Sequence, residues 1–562
     1  MSWRNYLLSP VLAERFCNTD HDVSPRCPQW QRLMKKSPAS RNPSSTSPDP
    51  HPRASAEVEL KLLASPAAIE RIRAATVITQ HARNRGVVRR LEAVYYDTPD
   101  RTLSRHRSSL RVRRNGTRYV QTLKIDCAKQ SPFVRQQWET PVDTQVPDLT
   151  RLPAKAFLSK LDKDGLTPVF ATKIRRQARR LTFNGSEIEI AFDEGMVEVG
   201  ERQEPLAEIE LELKAGEASV LYDVGIQLLD VAPFRINTLS KADQGYSLAF
   251  DSVPQATKAE DSNISAKLCV DDAIAMLMSA GQRHLLANQA IVEDGRDPEG
   301  VHQTRVALRR LRTVCSLLRK EVPTPAFHAF GCEAKWLMQV LGPARDWDVF
   351  VTTTLARLEE ACASDVDFTG LRRAAEPHRL ASYTVLREAL MDPRYTRFQL
   401  SLRRWIERRN WRTEVPSQAL ETLTEPVSAL AGRVLTRLHC KALREGAHFE
   451  RLRIEERHDL RITLKKLRYA AEFFLPIFAR HPSAKYYVAQ LSKLQDALGH
   501  ANDGAAMRLL LVSLTEQAEV TPDVHRAVGA LIGWSVRDRL AVAKSLRRHW
   551  RKFKIARAFW RD

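Results

Sequence analysis

Between residue 57 and about residue 250, apolar and charged residues alternate in short runs; beyond about residue 265, apolar residues recur every three or four positions. A period of two sends successive side chains to opposite faces of a strand, and a period near 3.6 gathers them on one face of a helix. Strands are therefore predicted at 57–63, 91–96, 109–114, 119–124, 136–142, 176–183, 186–193 and 206–214. Ser65-Pro66 offers an N-cap and a first-turn proline for a helix after the first strand, and helical patches are expected at 153–163 and 217–230. Many short strands in succession suggest a sandwich or a barrel. The region after 265 reads as all-α. The chain thus divides into a Ser/Pro-rich leader at 1–53, a β-rich domain at 54–250, a polar linker at 251–264 and a helical domain at 265–562. The leader cannot bury a core and carries no candidate chemistry.

Composition sharpens this division. Lys and Arg total 88 against 67 Asp and Glu, a net charge of +21. Such an excess suits a polyanionic partner: nucleic acid, an acidic membrane surface or phosphate chains. The eight cysteines are scattered without a CxxC pair, which argues against a disulfide framework or a zinc site. No apolar run approaches the ~20 residues of a membrane-spanning helix. A cytoplasmic protein without membrane attachment is expected.

The strands have unusual polar faces. In Glu57-Val58-Glu59-Leu60-Lys61 the three charged residues share one face. Glu208, Glu210, Glu212 and Lys214 do the same, alternating with Ile209, Leu211 and Leu213, and Arg111 and Arg113 share a face of their strand. A half-exposed sheet also turns polar residues outward, so a single strand means little. Here the polar faces are almost entirely charged, with carboxylates on some strands and guanidinium or ammonium groups on others. A sheet closed with those faces inward is a tunnel. Its carboxylates would suit Mg²⁺ or Mn²⁺, and its arginines and lysines would clamp phosphates. Buried charges of both signs need such partners.

The ordered series Glu57-x-Glu59-x-Lys61, Tyr95-Tyr96-Asp97-Thr98-Pro99-Asp100, Leu110-Arg111-x-Arg113, Thr122-Leu123-Lys124, Trp138-Glu139, the 208–216 segment and the 240–246 segment resembles the CYTH domain of the triphosphate tunnel metalloenzymes. The resemblance implies an eight-stranded antiparallel β-barrel that binds a triphosphate with a divalent metal. Carried over, Glu57 and Glu59 would bind metal or orient the attacking water, with Lys61 beside them in the catalytic set. Glu139, Glu208, Glu210 and Glu212 would complete the metal ligands. Lys61, Arg111, Arg113, Lys124, Arg135, Arg176 and Lys241 would hold phosphate oxygens, with Arg175 as the alternative to Arg176. Gln137 stands where relatives often carry an acid.

The helical domain contains an internal repeat. His302-Gln-Thr-Arg305-Val-Ala-Leu-Arg309-Arg310-Leu-Arg312 recurs 156 residues on as His458-Asp-Leu-Arg461-Ile-Thr-Leu-Lys465-Lys466-Leu-Arg468. Leu341-Gly-Pro-Ala-Arg-Asp-Trp-Asp348 recurs as Leu498-Gly-His-Ala-Asn-Asp-Gly-Ala505. A duplicated helical bundle is predicted, with halves at about 265–400 and 420–560. At ~100° per residue, His302, Arg305, Arg309 and Arg312 lie within about 80° of one another, opposite an apolar face. Residues 301–320 contain six Arg or Lys and no acid, whereas an ordinary solvated face mixes signs. A polyanion ligand is expected, and Asp346, Asp348 and Asp503 are expected to pair with these basic helices. The paired His-x-x-Arg helices and the Leu-Gly-x-Ala-Arg-Asp-x-Asp segment resemble a CHAD domain. That resemblance implies inorganic polyphosphate as the ligand of His302, Arg305, Arg309, Arg310, Arg312, His458, Arg461, Lys465, Lys466 and Arg468.

Three functions fit this reading. The first is metal-dependent hydrolysis of inorganic triphosphate to pyrophosphate and phosphate. The second is polyphosphate capture or docking on polyphosphate granules, with a weakly active tunnel. The third is chemistry on a nucleoside or thiamine triphosphate, for which no base or ring pocket is evident. Nucleic-acid binding by the basic half is disfavoured by the lack of an aromatic stacking series.

Overall fold

The computed structural model describes residues 55–126, 133–153, 161, 165–362, 365–516 and 521–561. The leader and most of the helical patch expected at 153–163 lie outside them. Nine strands form one sheet: β1 Ser55–Leu63, β2 Val87–Asp97, β3 Ser108–Asn115, β4 Arg118–Asp126, β5 Val134–Val142, β6 Thr167–Phe183, β7 Ser186–Val199, β8 Arg202–Ala215 and the two-residue β9 Arg235–Ile236. Their order is β5-β4-β3-β2-β6-β7-β8-β1-β9, and a further β1–β5 pairing closes β1 to β8 into an eight-stranded barrel. Every pairing is antiparallel.

Local sequence explains the ladders. Asn184-Gly185 joins β6 to β7, both residues with positive φ (46° and 74°), as a two-residue hairpin turn of this hand requires. β6 and β7 run well beyond 176–183 and 186–193, because the long hairpin stays paired through residues whose alternation is irregular. Along β1, Leu60 and Leu62 are fully buried on the outside of the barrel. There they join a core with Ile209, Leu211 and the helices α1 Pro66–Arg73 and α4 Ser219–Val231. Between these helices come α2 Thr76–His81 and α3 Thr102–Arg105, and α5 Lys241–Phe250 follows α4. The barrel is therefore apolar outside, under helices, and charged inside. Ser65 caps α1 by accepting from Ala68 N, with Pro66 in the first turn, as the sequence predicts.

The second region is helical: α6 Val270–Ala287, α7 Gln289–Asp294, α8 Glu299–Leu318, α9 Pro325–Val349, a π-helical turn Phe350–Leu355, α10 Ala356–Cys362, α11 Thr369–Met391, α12 Pro393–Arg408, α13 Trp411–Glu414, α14 Ser417–Thr424, α15 Val427–Glu445, α16 Ile454–Phe474, α17 Pro482–Glu516 and α18 Pro522–Lys554. The two basic motifs lie on α8 and α16, each followed by a long helix. These helices meet reciprocally. Arg310 neighbours Arg468, and Lys466 neighbours Arg312, so equivalent positions of the two motifs are exchanged across the contact. An exchange of this kind is what a local twofold produces.

The linker at 251–264 forms no helix or strand, yet it is fastened to the helical region. Thr257 O accepts from Asn288 Nδ2 at 2.9 Å and from His284 Nε2 at 3.0 Å, and Ile264 is buried. Among the described residues, no helix is long and apolar enough to cross a membrane.

Candidate active site

The barrel encloses a cavity of about 590 Å³. Among the described residues, twelve arginines and lysines and eight acids line it. The inward face of β1 contributes Glu57, Glu59 and Lys61. Register then decides what each meets: Glu57 lies opposite Arg135, Glu59 opposite Glu212, and Lys61 opposite Glu210. Glu59 and Glu212 are like charges in direct cross-strand opposition, an arrangement that is unfavourable without a cation.

The acids differ in electrostatic state. Burial raises the Glu57 carboxyl, but Lys124, whose Nζ donates at 2.6 Å, and Lys61 outweigh it and leave Glu57 below its ordinary value. Glu59 is pushed up, by burial and then by Glu210, although Lys61 Nζ lies 3.3 Å away. Glu212 is also raised, by burial and by Glu57 and Glu189, against the pull of Lys214 at 2.6 Å. Glu210 is held far below its ordinary value, because Arg176, Lys241 and Lys61 overcome its burial. Glu57, Glu59, Glu210 and Glu212 offer oxygen ligands; Glu59 and Glu212 are raised, whereas Glu57 and Glu210 are already met by Lys124 and by Arg176, Lys241 and Lys61. This donor set fits a hard divalent ion.

The basic wall has cations to spare. Among the described residues Arg111 forms no ion pair; it donates to Tyr95 Oη at 3.4 Å, and its buried Nε has no partner. Arg113 lies 3.6 Å from Glu139, and its Nε is likewise buried without a partner. The neighbouring Arg111, together with burial, pushes Arg113 down to about 10. Two adjacent guanidinium groups, one of which lowers the other's affinity for a proton, are a ready anion site. Arg135 is anchored by Asp126 at 3.0 Å, and Lys124 by Glu57.

At one end of the cavity the charges neutralise each other. Lys241, the first residue of α5, inserts its ammonium among Asp193 (2.9 Å), Glu208 and Glu210 (2.6 Å). Arg176 binds Asp193 through Nε at 2.7 Å and also reaches Glu210. Oxygens of Asp193, Glu208 and Glu210 lie within 4.8 Å of one another, a spacing that would also suit a metal ion. The Lys241 ammonium fills that role among these side chains.

The structure brings Glu57, Glu59, Lys61, Arg111, Arg113, Lys124, Arg135, Glu139, Arg176, Glu210, Glu212 and Lys241 to one cavity. It places Glu208 behind the wall, fully buried, between Lys241 and Asn237 Nδ2, which donates at 3.0 Å. Of the Arg175/Arg176 pair, Arg176 faces the cavity. Sequence reasoning missed Asp193, although it continues the inward alternation of Glu189 and Ala191 along β7. It also missed Tyr95 as a lining residue; Tyr95 stacks on Phe170 with centroids 4.4 Å apart.

On the helical region, His302, Arg305 and Arg309 lie together with Arg345, whose charge adds to burial in holding His302 below its ordinary value. Arg305 Nη1 donates to Met338 O at 3.0 Å, and Arg309 Nε is buried without a partner. Arg312, Arg319, Lys320 and Lys441 surround Lys466; they and burial depress its ammonium. Arg310 turns to the opposite crossing, stacking over Phe473 at 4.9 Å and reaching Glu260 O at 3.4 Å. Arg468 lies 3.5 Å from Glu472. His458 is exposed, and Arg461 and Lys465 are half-buried on the same helix. Asp346 acts on Arg305, as expected. Asp348 does not pair with the repeated basic helices. It is fully buried and bound by Arg379 Nε at 2.8 Å and Tyr383 Oη at 2.8 Å, both from α11. Helix spacing within one motif could not show that α11 supplies its partners. The Asp503 side chain lies outside the described residues.

A closed antiparallel barrel with charged side chains inside, joined to a helical unit with two reciprocal basic helices, is a two-domain protein of CYTH–CHAD type. The CYTH domain model matches residues 55–246 and the CHAD domain model matches residues 277–512, so the chain carries both domains in that order. It is similar to an inorganic triphosphatase of Haemophilus influenzae, 32% identical over 160 residues that cover 27% of this chain and 44% of that protein. The chain therefore spans less than half the length of that curated relative. It is also similar to the crystal structure of the CHAD domain from the plant Ricinus communis, with 27% identity, a TM-score of 0.46 and coverage of 54% of this chain and 98% of that one. A third similarity is to PptA from Streptomyces chartreusis, with 14% identity, a TM-score of 0.38 and coverage of 50% and 99%.

Proposed function

We propose that the tunnel hydrolyses inorganic triphosphate to pyrophosphate and phosphate with Mg²⁺ or Mn²⁺. The observation that carries this reading is the pair Arg111 and Arg113, with spare donors, in the same cavity as the carboxylates Glu59 and Glu212, which face each other across the β1–β8 ladder. Arg111 and Arg113 grip phosphate oxygens, and Lys61, Lys124 and Arg135 extend the cationic surface along the chain of phosphates. Glu57, Glu59, Glu210 and Glu212 would hold the divalent ion, which when bound would neutralise substrate charge and polarise the phosphoryl group. Glu59, raised by burial and by Glu210, orients water and accepts its proton as the new P–O bond forms and the phosphoanhydride bond breaks. The triphosphatase named above supports the substrate class.

The test is phosphate release from tripolyphosphate with each metal, beside ATP and thiamine triphosphate. Wild type should prefer tripolyphosphate, and Glu59→Ala should lose about 10²-fold or more in kcat. Equal turnover by the two proteins would sink this reading.

The helical domain carries a second reading, polyphosphate binding, supported by the cluster of Lys466 with Arg312, Arg319, Lys320 and Lys441. In this reading it concentrates phosphate chains or docks the protein on cytoplasmic polyphosphate granules. Salt-sensitive binding of polyphosphate by the full chain tests it.

A further inference from the structure

The barrel strand that carries Glu57, Glu59 and Lys61 is supported from behind by the other domain. Leu400 of α12 is fully buried, and it belongs to the core of the barrel side rather than to that of the helical bundle. Its neighbour two residues on, Leu402, faces the helical core instead. Leu400 and Leu60 meet at Gly225 of α4: a Cβ there would lie 3.3 Å from Leu400 Cδ1 and 3.4 Å from Leu60 Cδ2. Gly225 thus leaves the gap through which a side chain of the helical domain reaches the back of β1.

Two further contacts flank this one. Arg403 is buried, and its guanidinium lies 5.9 Å from the ring of Phe133, whose carbonyl accepts from Glu59 N at 3.0 Å. Thr396 Oγ1 donates to Phe234 O at 3.0 Å, next to β9, which pairs with Leu62 and Leu63. β9 is also held by Arg235 to Glu293 of α7 at 2.5 Å. Asn237 N, just beyond β9, donates to Lys61 O at 2.8 Å. One helix of the CHAD domain therefore touches what holds β1 at Glu59, at Leu60 and at Leu62–Leu63. Successive residues of β1 face opposite ways, so a shift of Leu60 moves Glu59 and Lys61 with it.

We propose that α12 is a positioning element for the tunnel, with Leu400 its central positioning residue and Thr396 and Arg403 its flanks. The helical domain sets the inward carboxylates at the spacing that binds metal and triphosphate. This inference rests on the triphosphatase reading for its kinetic consequence but not for its structural one.

The test uses the full chain and the variants Leu400→Ala, Leu400→Met, Thr396→Val and Leu402→Ala. Leu400→Ala should raise the Mn²⁺ midpoint for tripolyphosphate hydrolysis about fivefold or more, the scale of a typical inter-site coupling. It should also speed hydrogen exchange of the 57–63 peptide. Leu400→Met should restore both, Thr396→Val should shift them in the same direction by less, and Leu402→Ala, an equal truncation on the same helix, should change neither beyond its effect on melting temperature. A Leu400→Ala protein indistinguishable from Leu402→Ala in metal midpoint and in exchange at 57–63 overturns the proposal. If wild type turns over no triphosphate, the triphosphatase reading fails by itself, and exchange at 57–63 still decides the positioning role.

Discussion

Glu59 and Glu212 stand directly opposite each other across the β1–β8 ladder, two inward carboxylates both held above their ordinary value. Burial with Glu210 raises the first, and burial with Glu57 and Glu189 raises the second, so a cation bound among them should relieve both. Mn²⁺ at a hundred times its dissociation constant should stabilise wild type by about 2.7 kcal/mol. Glu212→Gln should keep or slightly raise metal-free stability and lose most of that gain. Thermal melts with and without metal check both halves of the prediction. An equal gain in the two proteins would remove Glu212 from the metal set.

Arg111 and Arg113 form the anion grip: among the described residues Arg111 has no ion pair, and Arg113 meets Glu139 only at 3.6 Å, with its buried Nε left over. Replacing Arg113 by Met removes a planar pair of donors, and kcat/KM for tripolyphosphate should fall about 10²-fold. Arg113→Lys should recover little of it, because an ammonium cannot reproduce a bidentate grip. Steady-state kinetics on the three proteins decide this. A lysine variant close to wild type would mean that Arg113 acts only as a point charge.

Strand faces were legible in the sequence because a period of two fixes which side chains share a side, and closure of the sheet then turns the charged faces inward. For Glu57, Glu59, Lys61, Arg111 and Arg113 that period gave the shared faces, while their inward direction rested on the segregation of charge by strand and on the CYTH resemblance. Glu208 shares the alternation of Glu210, yet it lies behind the cavity wall; its place depends on Lys241 and Asn237, which only the folded chain brings to it. Asp193 lies within the predicted strand, on the face of Glu189, but its role depends on Lys241 and Arg176, which only the folded chain brings to it. On the helical side, the stripe through His302, Arg305 and Arg309 follows from helix geometry. That Arg310 leaves the stripe for Phe473, and that Asp348 pairs with α11, depends on helix partners up to 163 residues away, which no local period encodes.

The reciprocal α8–α16 contact has two unlike crossings. Around Arg310 lie Glu472, Asp261 and the Glu260 carbonyl, and around Lys466 lie Arg312, Arg319, Lys320 and Lys441. The Lys466 crossing should therefore bind polyphosphate more strongly than the Arg310 crossing, which acids and the linker already engage. Lys466→Ala should weaken polyphosphate binding and reduce the salt slope of log affinity by about one. Arg310→Ala should alter the slope less. Titrations at several salt concentrations check it, and a larger loss for Arg310→Ala would reverse the assignment.

His439 of α15 gives the helical domain a pH-dependent term. It is buried against Phe553 and Trp560, and its Nδ1 lies 2.8 Å from Tyr487 Oη. Burial, aided by Arg561, lowers its pKa from 6.5 to about 4. Between those values the unfolded chain binds a proton that the folded chain refuses, so stability rises with pH through this window. The contribution is complete above pH 6.5 and disappears as pH falls through about 4. A shift of this size corresponds to roughly 3 kcal/mol. Denaturant unfolding of wild type and His439→Leu at pH 7.5 and pH 4.5 should show a smaller acid loss in the variant, even if the variant is less stable at the higher pH through loss of the Tyr487 partner. An acid loss of the same size in both proteins would mean that His439 is already protonated in the folded state or that other groups control the acid transition.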